Sequence, residues 1–336
     1  MLAREEFAGR LEAALGRHLG APAPIGRLIR LTGGATKATW SIEAGPGGER
    51  RAFVAQFSVP RRVDAGNPMA ELPRVLGADD AACMIAAAAA GVPAPPVRAV
   101  FDEADGLGAG YLMDRVEGET IARRVLREAV YAPARGAFAA QCGTILARLH
   151  TIPPAALPFL IESGPAQQVD LYRRIYRSFD HPVPALELGF RWAEEHLPAD
   201  ARTVVTHGDF RFGNLIFGPD GVRAVIDWEI CHLGDPVEDL GWLCVRTWRF
   251  GGSQPVGGMG RREDLLQAYA RAGGATVAPA HLRFWEGFGC LKWAVMCMMK
   301  GQAYLKGGER TVEALAIGRR MEEPLADFYR LLAGED

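Results

Sequence analysis

The stretch that decides the fold is His207-Gly208-Asp209-Phe210-Arg211-Phe212-Gly213-Asn214-Leu215-Ile216-Phe217, continued by Gly218-Pro219-Asp220-Gly221-Val222-Arg223-Ala224-Val225-Ile226-Asp227-Trp228-Glu229. Two short apolar runs, 215–217 and 222–226, flank a Pro-Asp-Gly turn, which is a hairpin signature. Pairing Phe217 with Ala224 sets Ile216 opposite Val225 and Leu215 opposite Ile226. Asn214 and Asp227 then stand side by side at the open end of the hairpin. A carbonyl oxygen and a carboxylate so placed can share a hard cation such as Mg²⁺. Asp209 lies on the loop entering the same hairpin, close enough to face a hydroxyl. Phosphoryl transfer needs such a set: an acid that orients the hydroxyl proton, and metal ligands that offset charge on the phosphates. A hairpin with polar ends would account for a lone pair of Asp residues, but the full pattern of types and spacings favours chemistry.

Outward from this segment, the composition sets bounds. Of 336 residues, 49% are apolar and 23% charged, which is enough for a large core and excludes a disordered or fibrous chain. That length suits two lobes with a cleft between them. The net charge of −2, with both signs interspersed, excludes a broad basic field for nucleic acid. Cys83, Cys142, Cys231, Cys244, Cys290 and Cys297 form no C-x-x-C pair and read as buried free thiols of a reducing compartment. The start, Met-Leu-Ala-Arg-Glu-Glu, lacks the pattern of a signal peptide. The most apolar tract, 81–100, is broken by Gly91, Pro93, Pro95 and Pro96 and is too short to span a bilayer. A cytoplasmic protein without membrane insertion is expected.

The pattern of elements predicts an α+β, bilobal chain. A helix is expected over 4–19, strands over 25–31, 39–44, 51–59, 97–101 and 110–115, and an Ala-rich helix over 79–90. From Thr120 the character is helical, with helices at 120–130, 134–150, 167–178, 184–197, 236–249, 261–273, 279–304 and 308–333. Only the 203–229 segment interrupts them. The division is a strand-rich lobe, 1–115, and a larger helical lobe, 116–336, with a hinge near Val116-Glu117-Gly118. Asp235-Pro236-Val237-Glu238 has the composition of a helix start, so Asp235 is expected to act mainly as an N-cap worth about 1 kcal/mol.

His207-Gly208-Asp209-x-x-x-x-Asn214, followed by Val225-Ile226-Asp227-Trp228-Glu229, resembles the aminoglycoside phosphotransferase-like family, related to choline and homoserine kinases and more remotely to protein kinases. Gly234-Asp235-Pro236-x-x-Asp239-Leu240, Leu31-Thr32-Gly33-Gly34 and Gly91-Val92-Pro93-Ala94-Pro95 extend the likeness over most of the chain. Its character is that of the branch related to the phosphotransferase domains of acyl-CoA dehydrogenases 10 and 11. The resemblance implies a kinase-like fold with an antiparallel small lobe. It implies Asp209 as catalytic base, Asn214 and Asp227 as Mg²⁺ ligands, and His207 as support for the catalytic loop. Arg211, beside the acid, is a candidate contact for the transferring phosphate.

On the nucleotide side, Gly33, Gly34, Thr36 and Lys37 form a small-residue turn whose amides can approach the phosphates of ATP or GTP. The resemblance implies a basic residue on the next strand, where this chain has Gln56, which donates a hydrogen bond but carries no charge. Asp79 or Asp80 falls where its acidic partner belongs, and Lys37, Arg51, Arg61 and Arg62 are the cations that could compensate. Met113, just before the hinge, marks the expected adenine contact. On the acceptor side the candidates are Glu229, Trp242, Arg246, Trp285, Glu286, Lys292 and Trp293. A tryptophan-rich wall with one acid, Glu286, does not suit a highly cationic aminoglycoside. The expected partners are a nucleotide and a small hydroxylated metabolite, with monomer and homodimer both open. The competing expectation is a nucleotide-binding pseudokinase or regulatory protein, motivated by Gln56.

Overall fold

The computed structural model describes residues 4–31, 37–46, 49–59 and 66–335. The fold is the expected bilobal α+β arrangement. Helix α1 (Arg4–Leu19) precedes strands β1 (Ile25–Leu31), β2 (Lys37–Ala44) and β3 (Arg51–Ser58). Helix α2 (Ala78–Ala89) is followed by β4 (Val97–Phe101) and β5 (Gly110–Asp114). The five strands form one antiparallel sheet in the order β1-β2-β3-β5-β4.

Side chains alternate across a strand, so the register sorts this sheet into two faces. Ile42, Phe53 and Leu112 point to one side and form a core with Leu11 and Leu15 of α1. The pairs Thr39–Gln56 and Gln56–Tyr111 put Thr39, Gln56 and Tyr111 on the opposite face, together with Lys37. Tyr111 belongs to the core cluster that continues through α2 into the helical half.

That half contains α3 (Ala122–Arg127), α4 (Ala132–Leu149), α5 (Pro165–Arg177) and α6 (Pro184–Glu195), then α7 (Pro236–Cys244), α8 (Arg262–Arg271) and α9 (Pro279–Leu305). Two last helices, α10 (Val312–Gly318) and α11 (Glu322–Ala333), replace the single helix expected over 308–333. Thr311 caps α10 through the Ala314 amide at 3.0 Å, and Pro324 lies in the first turn of α11, where a proline is tolerated. Helix α7 stops at Cys244, short of the expected 249, because Val245 is extended (ψ 130°) and turns Trp248 back towards Trp242. All six cysteines are buried and none forms a disulfide, as expected. Among the described residues no helix is long and apolar enough to cross a membrane.

The linker between the halves is docked on the site. Glu119 and Phe217 exchange two backbone hydrogen bonds of 2.9 Å. A Cβ on Gly118 would come within 2.5 Å of Ile216 Cγ2 and of the Phe217 carbonyl oxygen. Glycine is therefore required here by close approach to the hairpin, rather than by the tight turn expected from sequence.

Candidate active site

Two short strands hold the catalytic segment by its ends. Strand β6 (Val204–Thr206) pairs with β9 (His232–Gly234), and the Thr206 hydroxyl donates to the His232 carbonyl at 3.1 Å. Everything from His207 to Cys231 is the enclosed loop and hairpin. That hairpin is β7 (Leu215–Gly218) with β8 (Gly221–Val225). Its register differs by one residue from the expected pairing: Ile216 faces Ala224 and Leu215 faces Val225. The strands close as far as Gly218 opposite Gly221, leaving Pro219 and Asp220 as the two-residue turn, and a bulge at Ile216/Phe217 absorbs the offset. Asn214 and Asp227 both remain at the open end, where the Ile226 amide, next to Asp227, donates to the Asn214 carbonyl at 2.9 Å. Asp227 sits in the left-handed region (φ 69°), a conformation that Asp tolerates better than most residues.

Asp209 is fixed by three donors. Trp242 Nε1 donates to Oδ1 at 2.7 Å, Asn214 Nδ2 to Oδ2 at 2.6 Å, and Arg211 Nε reaches both oxygens at 2.9 and 3.1 Å. Asn214 Nδ2 also donates to the Asp209 carbonyl at 2.9 Å, so its amino group is turned to the loop. The Arg211 guanidinium lies over Trp248, 4.6 Å from the ring centroid. His207 braces the loop from inside. Its Nδ1 accepts from the Asp209 amide at 3.2 Å, and its Nε2 bonds the Ile226 carbonyl at 3.2 Å. Burial lowers its pKa despite three nearby carboxylates, so the ring is a neutral strut with both nitrogens engaged.

Asp239, read from sequence as helix architecture, is the main anchor of this loop. Its fully buried carboxylate accepts from the His207 and Gly208 amides, both at 2.9 Å, and meets His150 Nε2 at 3.2 Å. A second buried group stands behind Trp242. Glu238 meets Lys292 at 2.9 Å, His232 at 3.0 Å and Gln168 at 2.6 Å. Lys292 Nζ in turn lies 5.1 Å from the centre of the Trp242 ring. Burial alone would raise the Glu238 pKa, but the Lys292 and His232 charges outweigh it and hold the group down to about 2.

Across the cleft, Lys37 reaches into the site from β2. Its Nζ lies 2.7 Å from Asp80 on α2, 3.2 Å from Asp227 and 3.8 Å from Glu229. Burial would lower the ammonium pKa, yet these three carboxylates outweigh it and keep the lysine charged. Gln56 does not approach these acids directly. It accepts from the Tyr111 hydroxyl at 2.5 Å and donates to Thr39 Oγ1 at 3.4 Å, while the Tyr111 hydroxyl is also 3.0 Å from Asp80. Arg51 is turned away, onto Asp114 and the Phe53 ring. Gly33, Gly34, Thr36, Arg61 and Arg62 lie outside the described residues. Met113 is paired on both sides, with Val54 and Val97, and the amides of Asp114 and Arg115 donate to the Pro96 and Ala52 carbonyls, so the Met113 backbone lies inside the ladder.

The acceptor candidates divide. Trp293 packs at 4.8 Å on Trp248, the ring that Arg211 also covers, and Trp248 Nε1 is buried with no hydrogen-bond partner among the described residues. Trp285 is instead a core residue whose Nε1 donates to Asp235 at 2.9 Å. Glu286 is buried between Arg249 and Arg262, at 3.2 and 2.6 Å. With their polar atoms engaged in helix packing, Trp285 and Glu286 do not present the acceptor wall expected of them. Glu229 belongs to the Lys37 side. Trp242, a candidate from sequence, does adjoin Asp209, whereas Trp248, which lies under Arg211, carried no signal in the sequence.

The model of the phosphotransferase enzyme family matches residues 27–285, most of the chain. The chain is a member of this family. Within it, the chain is 34% identical over 170 residues to acyl-CoA dehydrogenase family member 10 of Mus musculus, covering 48% of this chain and 16% of that protein. It is 26% identical over 233 residues to family member 11 of Homo sapiens, covering 65% of this chain and 30% of that protein. The chain thus corresponds to less than a third of either relative. Among solved structures, a Ralstonia eutropha JMP134 protein provisionally described as an aminoglycoside phosphotransferase superimposes with a TM-score of 0.72 at 21% identity, over 97% of this chain and 98% of that one. A choline/ethanolamine kinase family protein from Mesorhizobium loti gives 0.61 at 20% identity, over 97% and 95% of the two chains. At these identities the structural likeness speaks for the fold.

Proposed function

We propose that this phosphotransferase family member transfers a phosphoryl group from ATP or GTP to a hydroxyl of a small metabolite. The nucleotide would lie between a small lobe, residues 1–115, and a catalytic lobe, residues 116–336. The observation that carries the reading is the convergence on one cleft of Asp209, Asn214, Asp227 and Lys37 from segments far apart in sequence. Asp209 would orient the acceptor hydroxyl and take its proton. Trp242, Arg211 and Asn214 hold the carboxylate at fixed orientation for that task.

The donor set fits Mg²⁺. With its amino group engaged by Asp209, Asn214 would offer its amide oxygen, and Asp227 its partly exposed carboxylate, to a hard cation. Among the described residues no three His, Cys, Asp or Glu side chains form a closed metal site. That suits an ion held by one or two protein groups and by the phosphates themselves. When bound, the metal would offset charge on the phosphates.

The acceptor side combines Arg211, Trp242, Trp248 and Trp293. Glu238, behind Trp242, is buried and paired with Lys292, an environment ill suited to a polycationic aminoglycoside. The pseudokinase alternative rested on the uncharged Gln56, and Lys37 supplies the cation that Gln56 lacks. The test is incubation with Mg²⁺, ATP or GTP and a panel of hydroxylated metabolites, with products read by mass spectrometry. A phosphorylated product is expected. Nucleotide binding without product across the panel would instead favour the regulatory reading.

A further inference from the structure

Position 37 carries the charge and position 56 does not, although both belong to the same sheet face. Lys37 pairs with Ser58 and Thr39 with Gln56, so Lys37 and Gln56 are diagonal neighbours across β2 and β3. Both connect to one acid: Lys37 touches Asp80 at 2.7 Å, and Gln56 reaches it through the Tyr111 hydroxyl, by contacts of 2.5 and 3.0 Å. We propose that the two positions have exchanged roles. Lys37, on β2, is the lysine that contacts the nucleotide phosphates, and Gln56, on β3, is a positioning residue that holds Tyr111 against Asp80.

The exchange has a physical basis. The Lys37 ammonium touches Asp80 of the small lobe and Asp227 of the catalytic hairpin, so it stands where a metal-nucleotide held by that hairpin would place its phosphates. An ammonium has three donors, and one anchored on Asp80 keeps others for phosphate oxygens. A second lysine at 56 would place a like charge diagonally across the strands, with one buried acid to serve both. A neutral side chain at 56 removes that repulsion. Glutamine does more: its side-chain amide bridges the Tyr111 hydroxyl at 2.5 Å and the Thr39 hydroxyl at 3.4 Å, which fixes the position of the phenol beside Asp80. Asp80 is thus oriented by one neutral and one charged neighbour, and only the charged one extends to the catalytic hairpin.

This inference rests on the reading that Mg²⁺-nucleotide binds in the cleft, and its test needs no acceptor. Binding of Mg²⁺-ADP would be measured by titration calorimetry for the wild type, K37Q, Q56K and the exchanged pair K37Q/Q56K, with thermal unfolding to confirm folding. K37Q is expected to weaken binding at least about tenfold, the scale of one lost charge-assisted contact. K37Q/Q56K is expected to recover most of that loss, because the ammonium returns to the same face beside the same acid, whereas Q56K alone gains nothing. If K37Q leaves Asp80 unpaired and fails to fold, K37Q/D80N removes both charges and is expected to fold and lose binding. Wild-type affinity in folded K37Q or K37Q/D80N would overturn the assignment of Lys37. An exchanged pair no tighter than K37Q would overturn the exchange. Lys37-dependent binding in a protein that transfers phosphate to nothing would support the inference while refuting the phosphotransferase reading.

Discussion

Replacing Asp239 tests how the catalytic loop is held. Its carboxylate accepts two buried backbone amides, from His207 and Gly208, each at 2.9 Å. Asp239→Ala would leave both donors without an acceptor and His150 bonded to Tyr269 alone. An unsatisfied buried amide costs about 1–3 kcal/mol, so the two together cost about 4 kcal/mol. For a chain of this size that corresponds to a fall in melting temperature of roughly 8 °C, at about 2 °C per kcal/mol. Asp239→Asn keeps one acceptor oxygen and should lose about half as much. The local effect is more specific than the global one. Freed from their clamp, the His207 and Gly208 amides should exchange with solvent deuterium well before the flanking strand β6. A loop displaced by about 1 Å would also slow transfer about 100-fold, since Asp209 follows directly. Thermal unfolding and hydrogen exchange of Asp239→Ala suffice for the test. Unchanged melting together with unchanged exchange at His207 and Gly208 would refute the clamp.

Two other perturbations follow from buried carboxylates. Asp235 caps α7 through the Val237 amide, but it also meets His281 Nε2 at 2.5 Å and Trp285 Nε1 at 2.9 Å, so Asp235→Ala should cost about 3 kcal/mol in denaturant unfolding, well above the 1 kcal/mol of a simple cap. Glu238, whose ordinary pKa of 4.5 is lowered to about 2, contributes stability that is fully present above pH 4.5 and is lost as pH falls towards 2. Glu238→Gln should flatten the unfolding free energy over that window, and an unaltered pH profile would show that the Lys292–Glu238 pair does not act as described.

The sequence makes legible whatever is encoded locally. The α1 bounds and the β1 and β4 spans follow from periodicity and flanking turn residues, and the Pro-Asp-Gly signal locates the catalytic hairpin. Its register shifts by one because Gly218 and Gly221 extend the ladder around a tighter turn, a choice made by backbone geometry. Strand β9 leaves no signal of its own: three residues pair with β6, 26 to 30 positions upstream, and the long-range ladder alone defines them. Trp285 and Glu286 were assigned to the acceptor because aromatic and acidic residues at helical spacing do not reveal which face of a buried helix they occupy. Asp239 had a usable signal: an ionisable residue inside α7, a helix buried along its whole length, has to be paired with something. Lys37 was one of four candidate cations, and only the strand pairing and Asp80 separate it from the rest.

The account's central claim is a division of labour between Asp209, which serves the acceptor, and Asp227, which serves the metal-nucleotide. The most direct measurement is the affinity for ATP with and without Mg²⁺ in Asp209→Asn and Asp227→Asn, alongside phosphoryl transfer by each. Asp209→Asn is predicted to keep the Mg²⁺-dependent gain in ATP affinity and to lose transfer by about 10²- to 10⁴-fold. Asp227→Asn is predicted to lose the gain and the transfer together. Equal Mg²⁺-dependent affinity in both variants, or wild-type transfer by either, would contradict the account.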